Sequence, residues 1–164
     1  MASMKRWLSR SFVIVPALVV AFSSAACRDN QDPQGATELW SRVSQSGYRS
    51  WTRARAYPKR EPSFTLHGGS VEIFVNPTLA AARDGKTAFR QFPDGSMVVK
   101  EGYSGNSDDL AIVAVMEKRA GEWYFAEYSG DGEALFSGKP KVCVDCHEAR
   151  REHSDWLFSV ELPR

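Results

Sequence analysis

The segment DLAIVAVMEKRAGEWYFAEYS, residues 109–129, carries the clearest fold signal in the chain. Its two halves, DLAIVAVMEK and EWYFAEYS, are rich in the β-branched and aromatic side chains that pack well on a pleated surface. The Arg-Ala-Gly between them, residues 119–121, is typical of a tight hairpin turn. The segment therefore predicts two strands joined by a hairpin.

Two further β-rich runs precede this hairpin and extend the predicted sheet. SVEIFVN, residues 70–76, alternates apolar and other side chains, and SMVVKEGY, residues 96–103, is again rich in valine. The chain shows no regular alternation of strand and helix, which a parallel sheet would require. The sequence thus predicts an α+β fold with an antiparallel β-sheet core.

Two helices are predicted outside these strands. TELWSRVSQSGYRSW, residues 37–51, spaces its apolar side chains at helical intervals, with Thr37 as the candidate N-cap. NPTLAAARDG, residues 76–85, has Asn76 as a cap and Pro77 at the first helical position. The first of these is the predicted N-terminal helix of the domain.

Composition limits the class of protein. The chain has 164 residues, of which 43% are hydrophobic and 12% aromatic, enough for the core of one domain. Its 21 basic and 20 acidic side chains leave a formal charge of +1. This balance gives no indication of a nucleic-acid partner and favours a small-molecule or redox role.

The first 26 residues have the pattern of a secretory signal peptide. Basic residues without an acid precede an apolar run of residues 12–22, and small residues follow it at 23–26. The apolar run is short for a membrane span, so we expect cleavage and a periplasmic location. Cleavage before Cys27 would leave that cysteine where bacterial lipoproteins carry a lipid anchor, although Ser24 stands where their signals place Leu or Val. Residues 27–35 are predicted to be a flexible tether, and residues 36–164 the folded domain.

The sequence CVDCH, residues 143–147, is the attachment signature of c-type haem. Its two thiols add to the vinyl groups of one haem, and the histidine that follows ligates the iron. Cys143, Cys146 and His147 are therefore the predicted cofactor-binding residues, with His147 as the axial iron ligand. A redox-active disulfide or a zinc site are the alternatives. The first lacks a neighbouring βαβ pattern, and the second lacks a fourth ligand.

Several stretches around this motif give a family resemblance. CVDCH followed by SDWLF, with HGGSVEIFVNP, FPDGSMVVKE and GEWYFAEY, resembles the cytochrome P-460 family and its relatives, the beta-type cytochromes c′. The similarity covers residues 51–158. It implies a periplasmic monohaem domain, commonly a homodimer, with an antiparallel sheet and a five-coordinate iron open to a small ligand.

The resemblance implies two kinds of function. Cytochromes P-460 oxidise hydroxylamine and carry a lysine bonded to the haem ring and a distal acid, whereas the beta-type cytochromes c′ bind nitric oxide or carbon monoxide in an apolar pocket. Lys100 stands at the cross-linking position. The distal acid should fall near Val113, but residues 110–116 contain no carboxylate. We therefore favour nitric oxide binding, with hydroxylamine oxidation and electron transfer to a redox partner cytochrome as the alternatives, and enzymatic activity stays open.

Candidates for the pocket opposite His147 follow from the same resemblance. An apolar distal wall is predicted from the aromatic side chains and the valine at the expected acid position: Phe64, Phe74, Phe89, Phe92 and Val113. A sixth iron ligand, which would make a closed electron-transfer haem, could come only from the histidines and methionines left after cleavage: His67, His153, Met97 and Met116.

Overall fold

The computed structural model describes residues 28–85, 88, 90–105 and 107–160. The predicted signal peptide, Cys27 and Phe89 lie outside these residues. Across them the chain forms an α+β fold dominated by one large sheet, which confirms the predicted fold class. The strands are β1 (Asp29–Asn30), β2 (Thr52–Arg53), β3 (Glu61–Thr65), β4 (Gly68–Val75), β5 (Met97–Tyr103), β6 (Leu110–Arg119), β7 (Glu122–Ser129) and β8 (Ala134–Gly138).

The sheet has the order β1-β8-β7-β6-β5-β4-β2, and β3 also pairs with β4. Every pairing is antiparallel except that of β1 with β8. The predicted turn joins β6 to β7, with Ala120 at φ 49° and Gly121 at φ 78°. Positive φ at both positions is the geometry of the hairpin turn whose twist matches that of the strands, and glycine adopts it without a Cβ penalty.

In the part of the chain that the structure describes, four α-helices accompany the sheet: α1 (Pro33–Gln45), α2 (Pro77–Asp84), α3 (Lys141–His147) and α4 (Arg151–Ser154). Helix α2 begins as predicted, because the Asn76 side chain accepts a hydrogen bond from the Leu79 amide at 3.0 Å. Short 3-10 turns precede β2 and α4, at Tyr48–Ser50 and Glu148–Arg150. Within the described ranges, no helix is both long and apolar enough to cross a membrane.

The predicted tether at residues 27–35 is wrong for the residues that the structure describes. Residues 29 and 30 pair with β8, and α1 begins at Pro33. Asp32, rather than Thr37, caps this helix, because its carboxylate accepts a hydrogen bond from the Gly35 amide at 3.0 Å. A capping aspartate followed by proline at the first helical position is a regular helix start, so a polar composition did not mean disorder here.

The sheet buries a separate apolar cluster on each of its faces. One cluster lies under α1 and consists of Ala36, Leu39, Val43, Tyr48, Phe74, Met97, Val99, Val113, Val115, Ala126 and Tyr128. The other lies on the side of α2 and α3 and consists of Ala54, Val71, Ile73, Val75, Leu79, Phe92, Val98, Met116, Trp123, Phe125, Leu157 and Val160. We call the second side of the sheet the α3 face. Since successive strand residues point to opposite sides, register decides which face each side chain joins.

Candidate functional site

Helix α3 contains the whole CVDCH motif. It begins directly after Pro140 and ends at His147. Cys143 is partly buried and packs against the core, whereas Cys146 is exposed, and both are free thiols. The spacing of three residues places the two sulfurs on neighbouring turns of one helix, so that both are available to one flat ligand.

The environment of Cys143 differs from that of a redox-active thiol. Burial raises the pKa of Cys143 to about 12, and the nearby carboxylate of Glu127 acts in the same direction. Catalytic cysteines of redox CxxC motifs have a lowered pKa, because the thiolate is the reactive species. The structure therefore disfavours the disulfide alternative.

His147 is oriented by a backbone hydrogen bond. Its Nδ1 lies 2.8 Å from the carbonyl oxygen of Trp156, and because a carbonyl only accepts, Nδ1 carries the proton. The rings of Phe125 and Phe158 lie 5.4 and 5.3 Å from the imidazole. Burial lowers the pKa of His147, and the Trp156 carbonyl opposes this only in part. A neutral imidazole with a free Nε2 is the form that binds a metal.

A buried ion pair fixes the segment that carries Trp156. Lys118 Nζ lies 2.9 Å from both carboxylate oxygens of Asp155, and both side chains are 2% exposed. Asp155 also accepts a hydrogen bond from the Phe92 amide at 2.8 Å. Asp155 and Trp156 have φ values of 47° and 72°, a left-handed corner that turns the chain back towards His147.

Lys100 lies on the α3 face. It pairs with Ala114 of β6, which in turn pairs with Glu127 of β7, and directly paired residues point to the same side of a sheet. Burial lowers the pKa of Lys100 to about 8, although electrostatic interactions with Glu127 and Cys146 act in the opposite direction. The Nζ atom lies 3.4 Å from Thr65 Oγ1. The lysine singled out in the sequence thus faces the side of the sheet that α3 covers.

Two polar residues of this face were not placed by sequence reasoning: Glu127 was not considered, and His67 was named only as a candidate sixth ligand. His67, in the turn between β3 and β4, places Nδ1 2.8 Å from Glu127 Oε2, and its ring centre lies 6.5 Å from that of His147. Glu127 follows Phe125 at strand spacing, so alternation along EWYFAEYS could have assigned it to the same face as Phe125. His67 had no such signal, because its position depends on a turn.

Residues 45–159 match the family model for Cytochrome P460. The chain belongs to the cytochrome P460 family. It is therefore a cytochrome of the P460 type, and its cofactor is haem. Neither the curated proteins nor the solved structures gave a match to the chain.

The α3 face of this cytochrome P460 fits the family's cofactor. Cys143 and Cys146 supply two free thiols, and His147 supplies a neutral imidazole with a free nitrogen. Within the ranges that the structure describes, no group of three or more His, Cys, Asp and Glu side chains could hold a bare metal ion. The donor set therefore suits haem.

The predicted distal wall does not assemble in this cytochrome P460. Phe74 and Val113 are wrong as pocket residues, because they belong to the α1 cluster on the opposite face from Lys100. Phe92 is buried against Trp123, with ring centres 6.4 Å apart. Phe64, on β3, is fully exposed.

The other candidate sixth ligands, and the acid that follows residues 110–116, lie at different places in the fold. Glu117 is buried under α1 and accepts hydrogen bonds from Arg42 at 2.7 and 2.8 Å. Met97 belongs to the α1 cluster, and His153 is exposed on α4. Met116 packs within the core of the α3 face. Glu127 and His67 are the polar groups that lie close to the motif.

Proposed function

We propose that this cytochrome P460 is an exported c-type haem protein whose iron takes a small nitrogen compound, and that hydroxylamine is the compound it oxidises. The observation that carries the proposal is the grouping of the CVDCH motif, Lys100 and Glu127 on the α3 face. Each of the three groups has a chemical task in such a protein.

The proposed attachment uses the two thiols and the histidine of α3. At each vinyl group, a carbon–sulfur bond forms at one carbon and the thiol hydrogen goes to the other, so the addition needs no oxidant. His147 would hold the iron through Nε2, because its Nδ1 hydrogen bond to the Trp156 carbonyl keeps the ring in place. The bound haem supplies an iron centre that accepts electrons and a nitrogen ligand.

Glu127 supports oxidation over simple binding. The argument for nitric oxide binding rested on the absence of a carboxylate in residues 110–116, and Glu127 supplies one directly across from Ala114. Conversion of hydroxylamine to nitric oxide releases three protons and three electrons. Glu127, 12% exposed at its side chain, is the group proposed to accept protons, and a one-electron carrier such as a periplasmic cytochrome would take up the electrons.

Lys100 is the residue proposed to bond to the haem ring. With its pKa lowered to about 8, roughly a tenth of its amine is neutral at pH 7 and able to act as a nucleophile. Replacing one hydrogen of the amine and one of a ring carbon by a carbon–nitrogen bond releases two protons and two electrons. A two-electron oxidant of the peroxide class would take up the electrons.

Nitric oxide binding is the second candidate. Ile112 and Ala114 are partly exposed on the α3 face, and small apolar side chains there suit an uncharged diatomic ligand. In that case Lys100 would stand unlinked beside the haem. The two candidates therefore differ in whether the lysine bond forms.

Maturation with a cytochrome c maturation system provides the test. We expect haem that survives denaturing electrophoresis in the wild type and not in a Cys143→Ser/Cys146→Ser variant. Intact mass and ferrous absorption of the wild type and Lys100→Ala then report the lysine bond, with Lys139→Ala, a surface lysine on the Glu122 ion pair, as the matched control. A red-shifted Soret band that only Lys100→Ala returns to an ordinary c-type position supports the cross-link.

Turnover with an artificial one-electron acceptor separates the oxidase from the binder. Glu127→Gln should lower hydroxylamine oxidation at least tenfold, whereas Glu122→Gln, on the same strand, should leave it unchanged. Unlinked Lys100, no turnover and tight nitric oxide binding would contradict the oxidase and favour the second candidate.

The proposed location is the periplasm, and the proposed assembly is a homodimer. Among the residues that the structure describes, four large apolar side chains are exposed: Phe64, Leu66, Val142 and Phe158. Phe158 lies beside the His147 ring and Val142 is on the motif helix, so a second copy covering them would also shield the site. Size-exclusion chromatography of the matured wild type and Phe64→Ser tests the assembly, and mass spectrometry of the exported protein tests cleavage and any lipid at Cys27.

A further inference from the structure

A cavity of about 340 Å³ lies on the α3 face, where the β6–β7 hairpin approaches helices α3 and α4. Gly121 of the hairpin turn, Val144 of α3 and Arg151 of α4 line it. The residues proposed for haem binding and catalysis do not line it: Cys143, Cys146, His147, Lys100 and Glu127. The cavity is therefore distinct from the site already described.

One wall of the cavity is aromatic. Trp123 and Phe125 come from β7, belong to the core of the α3 face and are 3% and 5% exposed. Trp156 completes this wall, with its ring centre 6.3 Å from that of Phe125 and the two planes inclined by 66°. Cavities of this size with aromatic walls are typical sites for small ligands, and such walls favour a flat, apolar ligand body.

The other side chains of the cavity carry more positive than negative charge. Its charged lining consists of three cations and one carboxylate: Lys118, Lys139, Arg151 and Glu122. Both lysines have a carboxylate oxygen within 3 Å. The nearest carboxylate to Arg151 is that of Glu152, at 3.7 Å, and in the described ranges the Arg151 side chain makes no hydrogen bond. The guanidinium of Arg151 is thus available to an anion.

A buried donor in the same lining also lacks an acceptor. The indole Nε1 of Trp123 is buried and has no hydrogen-bond partner among the residues that the structure describes. An indole N–H can only donate, and a buried donor without a partner is a position where a water, ion or ligand is expected. Trp123 and Arg151 therefore both lack an acceptor, and an anion would suit the second.

We propose that this cavity binds a small aromatic carboxylate, with its ring on the wall of Trp123, Phe125 and Trp156 and its carboxylate paired with Arg151. A planar carboxylate matches a guanidinium group in a bidentate pair, and the ring adds the apolar contact that an inorganic anion lacks. Phe125 and Trp156 also contact His147, so the ligand would adjoin the residues that orient this imidazole. The inference does not depend on which compound the haem iron takes.

Calorimetric titration of the matured, haem-loaded protein with benzoate tests the proposal. Benzoate should bind at one site per chain. Acetate, which lacks the ring, and benzyl alcohol, which lacks the charge, should each bind at least fivefold more weakly. The ferric absorption spectrum at the same benzoate concentrations should show no change of spin state, because the proposed site does not include the iron.

Variants and nuclear magnetic resonance locate the ligand. Arg151→Gln should weaken benzoate binding at least fivefold. Lys141→Gln is the matched control, since it removes an exposed cation of α3 that does not line the cavity, and should bind benzoate as the wild type does. In protein labelled with nitrogen-15, the indole resonance of Trp123, assigned from Trp123→Phe, should shift with benzoate. That of Trp51, which packs on the α1 cluster, should not.

Several results would overturn the proposal. Benzoate that does not bind, that binds Arg151→Gln as tightly as the wild type, or that binds no more tightly than acetate or benzyl alcohol would do so. A change of spin state that follows the heat of binding would also do so, because it would place the carboxylate on the iron. Should Trp123→Phe fail to mature, the comparison of wild type, Arg151→Gln and Lys141→Gln decides.

Discussion

Replacing Asp155 by asparagine isolates the charge of the buried pair with Lys118. Asparagine has nearly the same shape as aspartate and tolerates the left-handed backbone at φ 47°, so neither packing nor backbone strain changes. The amide oxygen can still accept one hydrogen bond from the Phe92 amide or from Lys118. The substitution removes only the negative charge of Asp155, which faces the Lys118 side chain, itself 2% exposed.

The expected loss is large because Lys118 has no water to replace the lost anion. Removing one partner of a buried ion pair typically costs about 3 to 5 kcal/mol. Two contacts at 2.9 Å and a side chain 2% exposed place this pair in that class. A domain is stable by roughly 5 to 15 kcal/mol in total. With a urea dependence of about 2 kcal/mol per molar, the unfolding midpoint should fall by about 2 M.

Urea unfolding of the matured protein, followed by far-ultraviolet circular dichroism, measures the midpoint and its slope. Glu122→Gln is the matched control, since it breaks the exposed pair with Lys139 and should not shift the midpoint measurably. The double variant Lys118→Met/Asp155→Asn should recover part of the loss, because methionine removes the ammonium group left without its anion.

The haem spectrum gives a second readout of the same variant. Asp155 precedes Trp156, whose carbonyl orients His147, so loosening this segment should broaden the ferric absorption bands. A midpoint shift no larger than that of Glu122→Gln would refute the reasoning, as would a double variant no more stable than Asp155→Asn. Either result would mean that the pair is accessible to water and does not fix the segment.

Three further predictions concern single residues. Because the folded-state pKa of Lys100 lies at about 8, below the ordinary value of 10.5, unfolding of the haem-free chain takes up a proton between these values. The free energy of unfolding should then rise with pH from 8 to 10.5 and stay flat in Lys100→Met, as measured by urea titration at pH 7 and pH 10. Gly102→Ala should push the His67 backbone away and weaken the 2.8 Å contact of His67 with Glu127, which would lower the midpoint of urea unfolding. Burial raises the pKa of Glu117, but hydrogen bonds led by that from Arg42 lower it below its ordinary 4.5. Arg42→Met should therefore reduce stability near neutral pH and move the onset of acid unfolding to higher pH, which circular dichroism during an acid titration would detect.

Local signals in the sequence were enough to predict the hairpin and the start of α2, but not to predict which face of the sheet each strand residue joins. The hairpin around Gly121 and the start of α2 at Asn76 depend on neighbouring residues, and both are found as predicted. Whether a strand residue joins the motif depends on which face α3 covers, and no local pattern reports that. Val113 pairs with Glu101, whereas Lys100 pairs with Ala114. One position along the strand thus separates a residue on the α3 face from a residue on the α1 face.

The pair of His67 and Glu127 could not be read from the sequence for a different reason. The two residues are 60 positions apart, and the β3–β4 turn brings them together across strands β5 and β6. The family resemblance placed the acid on β6, near Val113, whereas Glu127 lies on β7. The prediction of a tether at residues 27–35 was wrong because it relied on the polar composition of this stretch. Asp32 followed by Pro33 is a helix start, and that local signal was given too little weight.

The left-handed corner at Asp155 and Trp156 offers a criterion for sorting relatives that share the CxxCH motif. Only glycine, asparagine and aspartate adopt this backbone routinely, and the carbonyl that orients the histidine comes from the residue nine positions after it. A relative with one of these three residues eight positions after its motif histidine is expected to orient that imidazole in the same way. A β-branched residue at that position would indicate a differently built proximal side, even where the motif itself is unchanged.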